Sequence, residues 1–279
     1  MEWEQVKGIV KEIKEKTAMP AYSLVLNPQK KPDIFSSKFG GVPYWDLSRD
    51  YPCDKKGNPL MLLAQINLDK ADVEAPLPQQ GMLQFFTALD DVYGADFDAP
   101  DSQDTFRVIY HETVDYKVTQ QDIMALHPPV STDEEYGDYT PVFHEAVVDI
   151  VKKTAYMGDA TYLFEEIFHD IAKEKFGEDI GNQTPYSVME DDTYDKMVEE
   201  LSTTGHWLLG YPYFTQYDPR ETAEEYRVYD TLLFQMDSDF VKEEDYVLWG
   251  DCGVANFFIN HEDLEKKDFS KVLYNWDCC

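Results

Sequence analysis

Leu62-Leu-Ala-Gln-Ile-Asn-Leu-Asp69 and Leu232-Leu-Phe-Gln-Met-Asp-Ser-Asp239 are two versions of one phrase. Each is a short apolar run with a glutamine at its centre and a carboxylate at its close. Upstream, Gly41-Val-Pro-Tyr-Trp45 answers to Gly210-Tyr-Pro-Tyr-Phe214; downstream, Gly81-Met-Leu-Gln-Phe-Phe86 answers to Gly253-Val-Ala-Asn-Phe-Phe258. The glutamine follows the first glycine by 24 residues in one copy (41 to 65) and 25 in the other (210 to 235). The second glycine follows the glutamine by 16 and 18 residues. Three matches in one order at nearly one spacing identify an internal duplication.

Each copy is rich in strand signals. Leu60 to Ile66 and Leu232 to Met236 are apolar runs of the length expected for strands covered on both faces. Gly81 and Gly253 are turns before Phe-rich strands, Phe106 to His111 alternates as a half-buried strand, and Val272 to Trp276 is a further strand. Before the first copy, Trp3, Val6, Ile9, Val10 and Ile13 recur at helical spacing, and Met19-Pro20 closes that helix. Between the copies, Thr140-Pro141 opens a helix with Phe143, Val147, Ile150 and Val151 on one face; a second carries Tyr162, Ile167, Ile171 and Phe176 and stops at Gly177; a third carries Tyr194, Met197, Val198 and Leu201. The expected fold is α+β: an N-terminal helix at 1–20, a first β-rich unit at 21–118 with largely antiparallel sheet, an acidic helical insert at 119–204, and a second unit at 205–279, packed as one globule.

Charge dominates the composition. Twenty-four basic residues against 55 acidic give −31 at pH 7. Such a chain repels nucleic acid and anionic membranes and attracts cationic partners. Residues 88–205 hold 28 acidic and 7 basic residues and so −21 of the total. No apolar run reaches the roughly 20 residues of a membrane helix, and Met1 to Lys7 does not open as a signal peptide. Four scattered cysteines (Cys53, Cys252, Cys278, Cys279) do not make a disulfide framework and point to a reducing cytoplasm.

No Walker loop, nucleophile elbow, His-Glu-x-x-His or dinucleotide fingerprint is present. Gly40-Gly41 leads into Val-Pro rather than a helix, so it reads as a tight turn. Zinc needs four Cys or His ligands at paired spacing, and Asp251-Cys252 offers half a site at most. Asp237 and Asp239 alternate as carboxylates suited to a hard cation, but their counterparts Asn67 and Asp69 read as turn caps. Gln65 and Gln235 sit inside apolar strands, either as satisfied structural amides or as ligand-binding groups facing a shared pocket. The second copy adds polar residues absent from the first: His206, Asp218, Arg220 and Asp251. These are candidates for acid–base chemistry and anion recognition, or for a network that ties loops together. No cofactor is implied.

The same stretches, with Ser37-Lys-Phe-Gly-Gly-Val-Pro-Tyr44, Leu209-Gly-Tyr-Pro212, Asp218-Pro-Arg220, Trp249-Gly-Asp-Cys-Gly253 and Tyr274-Asn-Trp-Asp-Cys278, resemble the YwqG-like family of uncharacterised bacterial proteins. The resemblance implies an α+β fold with an internal duplication and no established activity; some relatives are suspected of neutralising toxins as immunity proteins. The functional expectation is therefore a cytoplasmic acidic module that binds a basic protein. The alternative is an enzyme or small-molecule binder whose polar pocket is formed mainly by the second unit.

Overall fold

Gln65 stands opposite Lys38 on one neighbouring strand and Gln84 on the other; Gln235 stands opposite Trp207 and Asn256 in the same way. A computed structural model of the chain describes residues 1–279. The first copy contributes β1 (Met19–Asn27), β2 (Lys38–Phe39), β3 (Met61–Asn67), β4 (Met82–Thr87) and β5 (Phe106–His111). The second contributes β6 (Ala146–Ala155), β7 (Trp207–Leu208), β8 (Thr231–Asp237), a hairpin of β9 (Asp239–Val241) and β10 (Glu244–Val247), then β11 (Val254–Ile259) and β12 (Val272–Asp277). The duplication extends to a defect. β3 carries one extra residue between Leu62 and Ala64, and β8 carries one between Leu232 and Phe234, each against its partner strand. A bulge at the matching position in both copies is an inherited feature of the unit.

One antiparallel sheet of ten strands runs β12-β11-β8-β7-β1-β6-β2-β3-β4-β5. Its centre is an exchange. β1 opens the first copy but pairs with β7 of the second, while β6 opens the second copy and pairs with β2 of the first. β1 and β6 then pair with each other over their full length, from Met19 opposite Ala155 to Asn27 opposite Val147. The sheet curls into a nearly closed barrel whose end strands meet through side chains. Phe106 of β5 packs on Tyr274 of β12 at 5.1 Å between ring centroids. Phe85, Phe234 and Phe257 from both copies fill the interior, Phe85 and Phe234 at 4.4 Å. Outside, Trp45, Leu62 and Phe86 form an apolar layer over the first copy, and Phe214, Leu232 and Phe258 form its counterpart over the second. β3 is buried at every position because both of its faces are covered.

The segment expected to open the insert as a helix is a strand. Residues 146–155, Ala-Val-Val-Asp-Ile-Val-Lys-Lys-Thr-Ala, form β6. Val147, Ile150 and Val151 do fall at helical spacing, but β-branched residues lose side-chain freedom in helices and favour strands, and two partner strands supply the hydrogen bonds. The acidic stretch 88–205 is consequently divided: it includes β5 and β6 of the sheet as well as helices. The short α2 (Gln120–Met124) lies before β6; α3 (Phe164–Phe176) and α4 (Asp191–Glu200) lie after it and match the other two expected helices. α1 (Trp3–Thr17) buries Val6, Ile9, Val10 and Ile13 against Phe164, Phe168, Ile171 and Met197 of that layer. α3 ends at Gly177 in the left-handed conformation, φ 70°, which glycine adopts without strain. α5 (Pro219–Thr222) and α6 (His261–Glu265) are single turns in the second copy. No helix is long and apolar enough to cross a membrane.

Candidate functional site

Gln65 and Gln235 are buried and use both ends of the amide. Gln65 Nε2 donates to the carbonyls of Ile34 and Ser36 at 2.9 and 2.8 Å, and its Oε1 accepts from Tyr44 N at 2.9 Å. Gln235 Nε2 donates to the carbonyls of Thr203 and Gly205 at 2.8 Å each, and its Oε1 accepts from Tyr213 N at 2.7 Å. Each glutamine thus ties the Gly-x-Pro-Tyr loop of its own copy to the segment before it. Four strands lie between β3 and β8, so the two amides do not face a common pocket. Gly41 and Gly210 open the two loops at φ +71° and +92°. A Cβ on Gly210 would approach those of Ala155 and Ala21 at 3.0 and 3.2 Å, so the loop needs glycine for space as well as conformation.

The polar residues peculiar to the second copy fall into three groups. His206 is buried and its Nδ1 accepts from Asp237 N at 3.0 Å, which leaves Nε2 to donate to Asp239 Oδ2 at 3.2 Å. Its ring packs edge-on against Phe39 of the first copy at 4.8 Å. Asp237 accepts from Gly205 N at 2.7 Å and from Ser238 N at 2.9 Å, and burial raises its carboxyl above the usual range. The first copy does the same work with Ser37, whose Oγ accepts from Asn67 N at 2.9 Å. No three His, Cys, Asp or Glu side chains converge as a metal cluster.

Asp218 and Arg220 form the second group, a closed pair. Arg220 donates through Nε to Asp218 Oδ1 at 2.9 Å and through a terminal nitrogen to Oδ2 at 2.7 Å; its other terminal nitrogen donates to Tyr229 O at 3.2 Å. Both residues are buried, and the guanidinium lies over the Phe258 ring at 4.0 Å. Asp251 is separate from both groups, on an exposed turn beside Cys278, whose thiol burial pushes up. The four cysteines form no disulfide.

Of these candidates, Arg220 reaches a cavity of about 330 Å³. Met19 and Tyr22 of β1, Met157 and Thr161 before α3, Leu209 to Pro212 of the glycine loop, and Leu232 of β8 surround it. Pro76 brings in the first copy. Most of the lining is apolar, and the volume suits a small organic molecule. Thr161 is buried at its wall, and its hydroxyl has no hydrogen-bond partner in the protein.

A family profile described as a domain of unknown function, DUF1963, matches residues 37–278. The chain belongs to the DUF1963 family. The match takes in β2 to β12 and leaves α1 and β1 outside it, although β1 is the strand that joins the two halves of the sheet. No curated protein matches the chain. The family fixes the kinship of the fold and assigns no activity.

A second polar cluster, in the first copy, was not singled out by sequence. Gln84 Nε2 donates to Tyr44 O at 2.7 Å and to Gln65 Oε1 at 3.1 Å. Its Oε1 must therefore accept from His111 Nε2 at 2.9 Å, and His111 Nδ1 faces Arg49 at 3.4 Å as the acceptor. The signal was present: Gln84 and Asn256 are polar residues at one place in the two Phe-rich strands. Asn256 is one methylene shorter, and its Oδ1 has no partner.

His111 predicts a pH dependence. Burial, and then the Arg49 charge, lower its pKa from 6.5 to about 4. Between those values the unfolded chain binds a proton that the folded chain refuses, so this contribution to stability is present above pH 6.5 and lost as pH falls toward 4. Between pH 7.5 and 5 the loss should be about 2 kcal/mol. His111→Gln should flatten the urea-derived stability profile by that amount relative to wild type; parallel profiles would refute the assignment.

Proposed function

We propose that the chain is a cytoplasmic, YwqG-like member of its family that binds a small, largely apolar molecule in the cavity beside Arg220. The observation that supports this reading is what lines one space: a largely apolar cavity with Asp230 and His261 at its exposed side, a buried cation, and the partnerless hydroxyl of Thr161. A burial site made only for stability gains nothing from an orphaned hydroxyl, which costs about 1–3 kcal/mol. The second copy supplies most of the lining, and the first supplies Pro76 and β1. Arg220 acts here as a positioned donor, because Asp218 already balances its charge.

The test uses 1-anilinonaphthalene-8-sulfonate, an aromatic body with an acceptor group. Saturable, one-to-one fluorescence enhancement by the folded protein is expected, with loss of the signal in Met19→Trp, which adds bulk at the cavity wall. Enhancement equal in the two proteins, or none in wild type, would count against the cavity. Thr161→Val should raise the unfolding free energy by about 1 kcal/mol, because valine keeps the shape and removes the unsatisfied group. A decrease in urea-melt stability would mean that the hydroxyl is bonded in the folded protein.

Charge supports a second reading, in which a basic protein binds and a toxin is neutralised. A net charge of −31 speeds encounter with cations and loses that advantage as salt rises. The acidic excess, however, is spread over loops and two helices rather than gathered on one layer. A one-to-one complex with a purified basic partner, weakened by salt and by charge reversal on α4, would favour this reading over the cavity.

A further inference from the structure

Two clefts lie where the barrel fails to close, and the duplication makes them counterparts. One, of about 430 Å³, lies between β5, the loop after Trp45, and residues 267–270 between β11 and β12. The other, of about 330 Å³, lies between β12, residues 216–226, and residues 95–100 between β4 and β5. Each joins the end strand of one copy to the last loop of the other. Their charges are opposite. The second cleft is lined by Asp96 and Asp277 and no cation, and the first by Arg49, Arg107 and Lys267 with Asp50 as its single carboxylate.

We propose that the cleft of Arg49, Arg107 and Lys267 binds a small oxyanion, a phosphate monoester or a carboxylate. It is a site separate from the apolar cavity and does not depend on it. The chain has only four arginines. Arg220 and Arg227 pair with Asp218 and Glu224, whereas Arg49 and Arg107 make no ion pair, despite 55 carboxylates in the sequence. Those two unpaired guanidinium groups line one cleft. Neutral partners orient them: Cys53 O accepts from Arg107 at 3.2 Å, His111 Nδ1 faces Arg49 at 3.4 Å, and the Arg49 guanidinium stands 5.7 Å from the Trp45 ring. A guanidinium has five N–H donors in a plane, so each retains donors for a planar or tetrahedral oxyanion. Lys267 contacts Glu112 at 3.5 Å on an exposed surface, a pairing that a bound anion can displace. The overall negative charge does not prevent binding, because salt screens charges farther than about 8 Å at physiological strength.

Isothermal titration at physiological ionic strength, where the distant carboxylates are screened, tests this with inorganic phosphate, adenosine monophosphate and citrate as probes. At least one should bind saturably at millimolar concentration or below. Arg107→Gln and Arg49→Gln should each weaken it by about tenfold or more, as expected for losing a charge-assisted hydrogen bond. Lys267→Gln, at an exposed position, should weaken it about two- to fivefold. Binding of phosphate and adenosine monophosphate without citrate would assign a phosphate, and citrate alone a carboxylate. No heat with any probe, or affinities unchanged in Arg49→Gln and Lys267→Gln, would overturn the proposal. An Arg107→Gln protein that fails to fold would leave those two variants to decide it.

Discussion

Replacing Asp218 with alanine should lower the free energy of unfolding by about 3–5 kcal/mol. Both members of the Asp218–Arg220 pair are almost fully buried, at 1 % and 3 % exposure, and the fork of two hydrogen bonds accounts for both carboxylate oxygens. Asp218 also accepts from Arg220 N at 3.0 Å, capping the single turn of α5. Alanine leaves a guanidinium that cannot shed its proton, enclosed by Phe258 and Tyr162, with one carbonyl as its remaining acceptor. Removing the charge from both sides should be much milder, because well-packed apolar groups replace a buried ion pair at little net cost. Asp218→Leu combined with Arg220→Met is therefore expected to recover most of the loss. Urea denaturation of the three proteins measures this; a single variant within about 1 kcal/mol of wild type would show that water reaches the pair.

Gln65→Ala and Gln235→Ala should each cost about 3–5 kcal/mol, and their effects should add. Each removes an amide that satisfies three buried or half-buried backbone groups at once: Tyr44 N with the Ile34 and Ser36 carbonyls, and Tyr213 N with those of Thr203 and Gly205. The lost volume adds a cavity term in a strand closed on both faces. Gln65 should prove the costlier by about 1 kcal/mol, because its Oε1 also accepts from Gln84. In the second copy Asn256 bonds Tyr213 O and makes no such contact. Additivity follows from the four strands between the sites. Denaturation of both single variants and the double variant tests it. A double variant far less stable than the sum would mean that the two loops communicate through the exchanged strands β1 and β6.

Much of this was legible in the chain. The repeated phrase around Gln65 and Gln235 located the strands, the turns and the divergence between copies, because a short apolar run bounded by glycine and proline is a local signal. The N-terminal helix and the helix ending at Gly177 were legible for the same reason. The structural alternative weighed for the glutamines, that of satisfied amides, is the geometry found; the neighbours that satisfy them lie about 20 to 30 residues away. The strand β6 was not legible as such. Its apolar residues fit a helical period, and hydrogen bonds to β1 and β2, more than 100 residues away, make it extended.

The candidate site was legible only in part. Divergence between the copies picked out His206, Asp218, Arg220 and Asp251, but not their division among three places, nor the cavity that Arg220 shares with Thr161. Nor could the sequence pair Arg49 with Arg107, which meet because β5 and the loop after Trp45 converge at an open edge of the barrel. What the sequence determined alone was the repeating unit and its net charge, because strand propensity, turn chemistry and ionisation are properties of residues and their nearest neighbours. The tertiary structure decided the exchange of β1 and β6, the cavity and the two oppositely charged clefts. Those depend on which distant segments close the sheet and bury one another's polar groups, and that is set by packing over the whole chain.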